Sequence, residues 1–256
     1  MTDLRRELLG FIESPDLERF DDLALRVARH QARAIPAYGK WVTHQGGFDH
    51  WRDAPWVPTE AFRSFDLCEA APHEGDAVFE TSGTTTGTPG RRRAPDLSLY
   101  HAGMVGPFLD ALLDGDTGKR PWISLIPTAQ ELPSSSLSHM VSALAAHYAE
   151  LETSSCHLDA SGLDVSGAMS ALHALERPGL VLATSFALIN LLDAWSGPDA
   201  RLPHGTRLML TGGFKGRSRT LDASSLERLI EERLGLPAEA IIGEYGMTEW
   251  TSQAYG

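Results

Sequence analysis

The chain has 256 residues, 42% of them hydrophobic, and a formal net charge of −12 at pH 7. This length and composition suffice for a substantial core in one domain, whereas the acidic charge argues against nucleic acid as a partner, because a phosphate backbone requires a basic surface. No stretch reaches the roughly 20 apolar residues of a membrane span. Two separated cysteines, Cys68 and Cys156, suggest neither a disulfide framework nor a zinc site. We therefore expect a cytoplasmic protein without a membrane span.

The N-terminal part, residues 1–54, is predicted to form a helical and irregular segment that packs on a core formed by residues 55–256. Residues 1–30 show an amphipathic helical pattern with mixed charge. Residues 34–62 are rich in aromatic residues and are interrupted by Pro and Gly, which is typical of irregular structure.

From residue 76 onward, strand-like and helix-like patterns alternate. The strand-like stretches are DAVFETS, PWISLIP, GLVLATS, TRLMLTGG and AIIGEYG, and the helical patterns cover 96–114, 137–149, 186–195 and 223–235. This alternation predicts the α/β class, with a largely parallel sheet flanked by helices and right-handed crossovers. Ligands of such sheets bind outside the carboxyl ends of the strands. TSGTTTG, TGGFKG and YGMTE follow predicted strands and are the candidate binding loops.

A run of hydroxyl residues and glycines directly follows the first predicted strand. Successive backbone N–H groups in a glycine-permitted turn form a concavity that binds anions, so the run is a candidate phosphate loop; the alternative is a flexible polar linker. It is not a Walker loop, because Gly83 and Gly87 enclose three residues where that motif needs four, and no GxGxxG follows a strand. The candidate residues are Thr81, Ser82, Gly83, Thr84, Thr85, Thr86 and Gly87.

Two motifs resemble the signatures of the adenylate-forming superfamily. TSGTTTGTPGRRR, at 81–93, resembles its phosphate loop T-S-G-T-T-G-x-P-K, and EYGMTE, at 244–249, resembles its signature Y-G-x-T-E. With VPTEAFRSFDL, DLSLY, SSSLSHM and LTGGFKGRSR, they make residues 55–256 similar to the bacterial acyl-protein synthetase family, the ATP-dependent fatty-acid:protein ligases. The resemblance implies the N-terminal core of adenylate-forming enzymes.

The loop departs from the usual pattern in two places. Either one Thr is inserted among Thr84–Thr86 or the first Gly is replaced, and the usual Lys falls at Gly90 or Arg91. Arg91, Arg92 or Arg93 could restore the positive charge, although an arginine fork is not equivalent to a lysine point charge. Which of the three does so stays open; Arg91 is taken as the candidate catalytic cation. The alternative for Arg92 and Arg93 is a solvated basic run.

The resemblance also implies roles for residues of the later loops. Glu249 would bind Mg²⁺, and Thr248 would donate its hydroxyl to the α-phosphate of ATP, which makes both candidate catalytic residues. Tyr245 would offer an aromatic face to adenine; the alternative is an ordinary buried strand tyrosine. Gly212 would let the base approach the backbone closely. The other candidate nucleotide-binding residues are Gly213, Lys215, Gly246 and Met247.

Further polar residues give weaker signals. Ser134–Ser136, His139 and Met140 either line a carboxylate pocket, as the resemblance implies, or belong to a Ser-rich helix start. No nucleophile is assigned to Cys68 or Cys156, because a lone cysteine is usually a small core residue. The chain stops seven residues after Glu249. We interpret this as a truncation before the small C-terminal domain of the superfamily, or else a partner supplies that domain; weak turnover is expected without it.

The function implied by the resemblance is ATP- and Mg²⁺-dependent activation of a carboxylic acid, fatty or other, to an acyl adenylate. The acyl group would then pass to a protein thiol of an acceptor or carrier protein. One alternative is an acyl-CoA ligase of the phenylacetate type. An alternative of another class is a non-catalytic nucleotide-binding or interaction module, whereas a serine hydrolase is disfavoured because the chain contains no GxSxG.

Overall fold

The computed structural model describes residues 2–81, 88–212, 222–250 and 252–256. The contacts within the chain define two compact units. Unit 1 comprises Met1–Met104, Ser134–Ser136 and Met247–Ser252, and unit 2 comprises Val105–Pro133, Leu137–Gly246 and Gln253–Gly256. The boundary at residue 54, which concerned the start of the α/β core, stays a prediction.

Unit 1 contains the N-terminal helices and one hairpin. Its helices are α1 (Thr2–Glu13), α2 (Leu17–Ala34) and α3 (Pro36–His44), followed by two 3₁₀ helices at Trp51–Asp53 and Thr59–Arg63. Its strands are β1 (Ala77–Glu80) and β2 (Arg91–Ala94). The side chain of Asp16 begins α2 by accepting a hydrogen bond from the backbone N–H of Glu18, as an N-cap does. The helical pattern of residues 1–30 thus forms α1 and most of α2.

Helix α3 lies where the sequence predicted irregular structure, and that prediction is wrong for nine residues. Pro36 occupies the first turn of α3, where its missing N–H costs no helical hydrogen bond. None of the residues of α3 is buried. A short helix without a buried stripe leaves no clear apolar period in the sequence, which explains why it was missed.

The first predicted strand forms, but outside the parallel sheet. β1 pairs antiparallel with β2, with Glu80 opposite Arg91 and Phe79 opposite Arg92. The two strands form a separate two-stranded sheet. The expectation that the Thr/Ser/Gly run follows a strand of the parallel sheet is therefore wrong. The three arginines were read as part of a loop, yet they belong to β2, because strand pairing with β1 satisfies their backbone groups.

Unit 2 contains the main sheet, in the order β10-β9-β8-β7-β3-β4. All neighbouring pairs are parallel except β10 with β9. This arrangement confirms the predicted α/β class with a largely parallel sheet. The strands are β3 (Trp122–Leu125), β4 (Ser155–Cys156), β7 (Leu180–Thr184), β8 (Arg207–Thr211), β9 (Ile241–Gly246) and β10 (Gln253–Tyr255), and a small hairpin pairs β5 (Leu158–Asp159) with β6 (Gly162–Leu163).

Helices connect and cover these strands. They are α5 (Ser136–Tyr148), α6 (Val165–His173), α7 (Ser185–Ala194) and α8 (Ala223–Leu234), and α4 (Ser98–Leu113) begins in unit 1 and ends in unit 2. The sequence predicted α4, α5, α7 and α8 within a few residues, but it missed α6 and the two-residue strands β4, β5 and β6. Those strands are too short to show a period.

Both faces of the main sheet are buried. One face carries Ile123 and Val181, which join a core cluster with residues of α6, α7 and α8. On the other face the ring of Trp122 lies 5.5 Å from that of Phe108 in α4. All four residues of β3 are buried, as parallel strands covered on both sides require. Within the described residues, no helix has the length and apolar character needed to cross a membrane.

Candidate functional site

The candidate phosphate loop is the connection of the β1–β2 hairpin, and its neck is closed by two hydrogen bonds. The backbone N–H of Thr81 donates to the carbonyl of Gly90 over 2.9 Å, and the N–H of Gly90 donates to the hydroxyl oxygen of Thr81 over 2.7 Å. Thr81 and Gly90 therefore hold the two ends of the loop side by side. Residues 82–87 lie outside the described residues, so the choice between a phosphate loop and a polar linker stays a prediction.

The three arginines of β2 have three different environments. Arg91 is exposed and its Nε lies 3.1 Å from Oε1 of Glu80. Arg93 is held by two carboxylates, with Nη2 2.7 Å from Asp66 and Nη1 2.6 Å from Asp76. The hydrogen bonds that Arg93 donates to Asp66 and Asp76 raise its pKa. Because these acids engage its guanidinium, Arg93 belongs to the structure of unit 1 and is not available to a phosphate.

Arg92 lies on the opposite face of β2, beside Phe79. Its Nη1 is buried, and no other described residue accepts a hydrogen bond from it. Burial lowers the pKa of Arg92. A desolvated guanidinium with an unused donor favours a nearby anion. Neither Arg91 nor Arg92 is bound by a buried acid within the described residues, and which of them meets a phosphate stays a prediction.

Unit 2 aligns polar residues at the carboxyl ends of three neighbouring strands. Thr184 of β7 pairs with Thr211 of β8, and Thr211 pairs with Glu244 of β9. Thr184 is the N-cap of α7, because its hydroxyl oxygen accepts a hydrogen bond from the N–H of Ala187. The carboxyl edge of this sheet is where an α/β protein binds a ligand.

Gly212 occupies this edge directly after β8. Its φ of +83° lies in the left-handed region that a side chain disfavours. The hydroxyl of Ser185, at the start of α7, donates to the carbonyl oxygen of Gly212 over 2.6 Å. A Cβ atom at this position would meet nothing within 4 Å. This holds for the described residues, which end at Gly212 here, and the predicted close approach of adenine to Gly212 stays a prediction.

Tyr245 and Gly246 end β9 at the same edge. The side chain of Glu244 is buried, whereas Tyr245 is 57% exposed, as alternation along a strand requires. This exposure argues against the alternative that Tyr245 is a buried strand tyrosine, and it leaves an aromatic ring accessible to a stacking partner. Gly246 pairs with Gln253 of β10. A Cβ atom at Gly246 would approach Oε1 of Glu244 to 2.6 Å, so a side chain there would require the carboxylate of Glu244 to shift.

Met247, Thr248 and Glu249 lie in the turn between β9 and β10. The N–H of Trp250 donates to the carbonyl of Met247 over 2.9 Å and tightens this turn. Thr248 and Glu249 are half-buried. Within the described part of the chain, no hydrogen bond or ion pair engages the carboxylate of Glu249. Carboxylate and hydroxyl oxygens are the hard donors that Mg²⁺ prefers, so Glu249 and Thr248 fit such an ion.

The described residues contain no group of three or more His, Cys, Asp and Glu side chains able to hold a metal by themselves. A magnesium ion bound through one carboxylate and phosphate oxygens does not need such a group.

The Ser-rich segment has a structural role in unit 1. The carbonyl of Ser134 accepts a hydrogen bond from the N–H of Glu80 over 2.8 Å, and the carbonyl of Ser136 accepts one from the hydroxyl of Tyr100 over 3.0 Å. Met140 is fully buried. These contacts use backbone atoms, so they leave the proposed carboxylate-lining role of the serines and of His139 a prediction.

Several predicted site residues lie outside the described residues. They are Ser82, Gly83, Thr84, Thr85, Thr86, Gly87, Gly213 and Lys215. Their roles, and the expectation that the two motif loops face a single cleft, stay predictions.

The sequence analysis missed one residue of the sheet edge, Glu244. Burial raises the pKa of its carboxyl group. Its Oε2 is buried without a hydrogen-bond partner among the described residues. An acidic residue within an otherwise apolar strand pattern, IIGEYG, was the signal in the sequence, because buried carboxyls concentrate at functional sites.

Comparison with protein-family models and with curated protein sequences gives no match. Among solved structures, the chain is similar to ATP-bound MatB from Rhodopseudomonas palustris, with 14% identity, a TM-score of 0.44 and coverage of 80% of this chain and 36% of that chain. It is also similar to the inhibitor-bound N-terminal domain of FACL13 from Mycobacterium tuberculosis, with 16% identity and a TM-score of 0.42. That match covers 74% of this chain and 42% of the FACL13 chain. The amide bond synthetase McbA from Marinactinospora thermotolerans is similar with 19% identity and a TM-score of 0.44. That match covers 82% of this chain and 34% of the McbA chain.

The chain thus spans between about a third and two fifths of the length of these structures. At such TM-scores the likeness establishes neither a shared family nor an activity. The α/β class of this chain rests on its own strand order and register.

Proposed function

We propose that this chain is the nucleotide-binding part of an ATP-dependent acyl-activating enzyme of the adenylate-forming superfamily, closest to the acyl-protein synthetases. The reaction joins a carboxylic acid, fatty or other, to the α-phosphate of ATP with loss of pyrophosphate, and the acyl group then passes to a protein thiol. The observation that carries the proposal is the pair of hydrogen bonds between Thr81 and Gly90, which brings the two ends of the Thr/Ser/Gly run together next to Arg91 and Arg92.

The main physical task of the reaction is electrostatic, because a carboxylate must attack a polyanion. In the proposal, Thr81–Gly87 bind the phosphates with backbone N–H and hydroxyl groups, and Arg91 stabilises the negative charge that develops on them. Arg92, also in β2 and with its Nη1 buried, adds a second positive charge to the hairpin. The exposed Glu80–Arg91 pair is weak enough to exchange for a phosphate.

The later loops supply the remaining roles. The exposed ring of Tyr245 stacks on adenine, and Gly212, Gly213 and Gly246 leave room for the base. Thr248 donates its hydroxyl to the α-phosphate, and Glu249 would hold Mg²⁺. The ion, when bound, shields the phosphate charge. Lys215 and Met247 complete the nucleotide-binding set.

The proposal also names the reaction partners and the cellular compartment. The substrate is a carboxylic acid and the acceptor an acyl-acceptor or carrier protein. Both cysteines are free thiols, which agrees with a reducing compartment such as the cytoplasm.

Glu249→Ala tests the metal role. We expect the variant to bind Mg²⁺–ATP about tenfold more weakly or worse, since loss of metal-site interactions costs at least that much, while ATP affinity in EDTA stays unchanged. Isothermal titration with and without Mg²⁺ measures both affinities. Glu239→Ala, an exposed acid on a 3₁₀ helix, is the matched control and leaves both affinities unchanged.

The activity itself is measured by hydroxylamine trapping of acyl adenylates across a panel of carboxylic acids, and by acid-dependent pyrophosphate exchange. ATP binding without exchange or trapped product would contradict the enzyme and favour a non-catalytic nucleotide-binding module. Product formed with CoA but with no carrier protein would favour the acyl-CoA ligase.

A further inference from the structure

A cavity of about 880 Å³ lies within unit 1, among residues that the proposed function does not use. Its walls are the end of α2, helix α3, the start of the second 3₁₀ helix and the segment 65–71. The volume falls within the roughly 300–1,000 Å³ of small-molecule pockets, which are mostly apolar with a few polar groups. The lining includes Trp41, Val57, Pro58, Ala61 and Phe65.

One face of α3 forms the first wall. Ala37, Lys40, Trp41 and His44 all line the cavity, and their spacing of three, four and seven residues places them on one side of the helix. The ring of Trp41 stacks on that of His44, with centroids 5.9 Å apart. The face therefore presents an aromatic surface beside the ammonium group of Lys40.

The opposite wall, residues 65–71, is fixed in place from two sides. Arg93 of β2 binds the carboxylate of Asp66 and donates to the carbonyl oxygens of Ala70 and Ala71. From α2, Nε2 of His30 lies 2.7 Å from Oε2 of Glu69. A wall held by these bonds is formed before any ligand arrives, which lowers the entropic cost of binding.

The charged groups of the lining differ in what engages them. The two acids, Asp66 and Glu69, each contact a basic side chain outside the lining, although Asp66 shares Arg93 with Asp76. Lys40 forms no ion pair within the described residues. Lys40, at the exposed α3 end of the cavity, is therefore the charged lining group left to pair with a ligand.

We propose that this cavity binds a small amphipathic anion, an aliphatic or aromatic acid whose apolar body lies between Trp41 and Phe65 and whose carboxylate or sulfonate pairs with Lys40. Because none of the lining residues belongs to the proposed nucleotide loops, the assignment does not depend on the proposed function.

A pair of dyes that share an arylamine body tests the charge preference. The probes are 1-anilinonaphthalene-8-sulfonate, which is anionic, and N-phenyl-1-naphthylamine, which is neutral. We expect Lys40→Met to weaken the sulfonate about fivefold, as for a partly exposed ion pair, and to leave the neutral dye unchanged; Lys40→Arg retains the sulfonate affinity. Fluorescence titration gives both affinities, and circular dichroism checks the fold of each variant.

The controls locate the dyes. Lys119→Met removes an exposed lysine of unit 2 and is expected to change neither affinity. Ala37→Phe fills the cavity from α3 and is expected to weaken both dyes together. Bound sulfonate dye is also expected to slow alkylation of Cys68, which lines the cavity, and not that of Cys156 in unit 2. Mass spectrometry of the two cysteine peptides separates their rates.

A series of n-alkanoates tests the apolar body. Each added methylene is expected to improve displacement of the sulfonate dye about threefold to fourfold until the chamber is full. The proposal is overturned if neither dye binds, if Lys40→Met weakens both dyes equally, if Ala37→Phe leaves both unchanged, or if alkylation of Cys68 is unaffected by the dye.

Discussion

At the level of single residues, the arginines of β2 show how the same side chain can have very different surroundings. The three consecutive arginines of β2 are identical in sequence but not in surroundings. Arg91 is exposed, Arg92 has a buried Nη1 with no hydrogen-bond partner among the described residues, and Arg93 is bound by two acids. The sequence therefore predicted a basic cluster correctly, but it could not tell which arginine is structural. Asp66 and Asp76, which decide this for Arg93, lie 27 and 17 residues away in the chain.

Glu244 gives a prediction at this scale. Because burial raises its pKa in the folded protein, the native state keeps the proton above the pKa of 4.5 at which the unfolded chain releases it. The stability of the folded state therefore falls as pH rises through this window. Glu244→Gln removes the titration, so the stability difference in favour of the variant should widen from about pH 4 to about pH 7. Urea unfolding at several pH values measures it.

The control for this measurement is Glu239→Gln, an exposed acid of unit 2. Its stability difference from the wild type should stay constant over the same range. A constant difference for Glu244→Gln as well would show that the buried carboxyl does not distinguish the folded from the unfolded state.

Among the elements, the β1–β2 hairpin departs furthest from the expectation. DAVFETS has the apolar pattern of a parallel strand, and the run of hydroxyls after it was placed at the edge of the main sheet for that reason. The partner of β1 is instead RRRA, whose composition gives no strand signal. Local periodicity could not identify this pairing, because the partner strand is polar and shows no apolar alternation.

Arg93 is expected to control the stability of this hairpin. Arg93→Gln leaves Asp76 without its guanidinium in a site where only 5% of that side chain is exposed, and an unpaired buried charge is costly. We expect a large loss of thermal stability, and no recovery with Arg93→Lys, because a lysine cannot bind two carboxylates and two carbonyls in a fork. Arg91→Gln, on the same strand but exposed, is the matched control and should lower the melting temperature little. Equal effects of Arg91→Gln and Arg93→Gln would refute this role.

At the scale of the whole molecule, the parallel sheet of unit 2 carries the main core. Leu188 of α7 is fully buried in the cluster that joins three helices to the sheet. Leu188→Ala should lower the free energy of unfolding by about 2–5 kcal/mol through the lost transfer free energy and the cavity left behind. Leu132→Ala, where the side chain is 43% exposed, should change it by less than about 0.5 kcal/mol. Chemical denaturation measures both, and similar values would contradict this core.

The sequence by itself determined the α/β class, most of the long helices and strands, and the two loops that carry polar motifs. Each of these is a local property, because hydrophobic periodicity and hydroxyl or glycine content can be read within a few residues. Only the tertiary structure decided which strands pair, which arginine is neutralised, that Glu244 is buried and that α3 lines a cavity. These properties depend on contacts between residues far apart in the chain, and the energies of charge burial and strand pairing are set by those contacts.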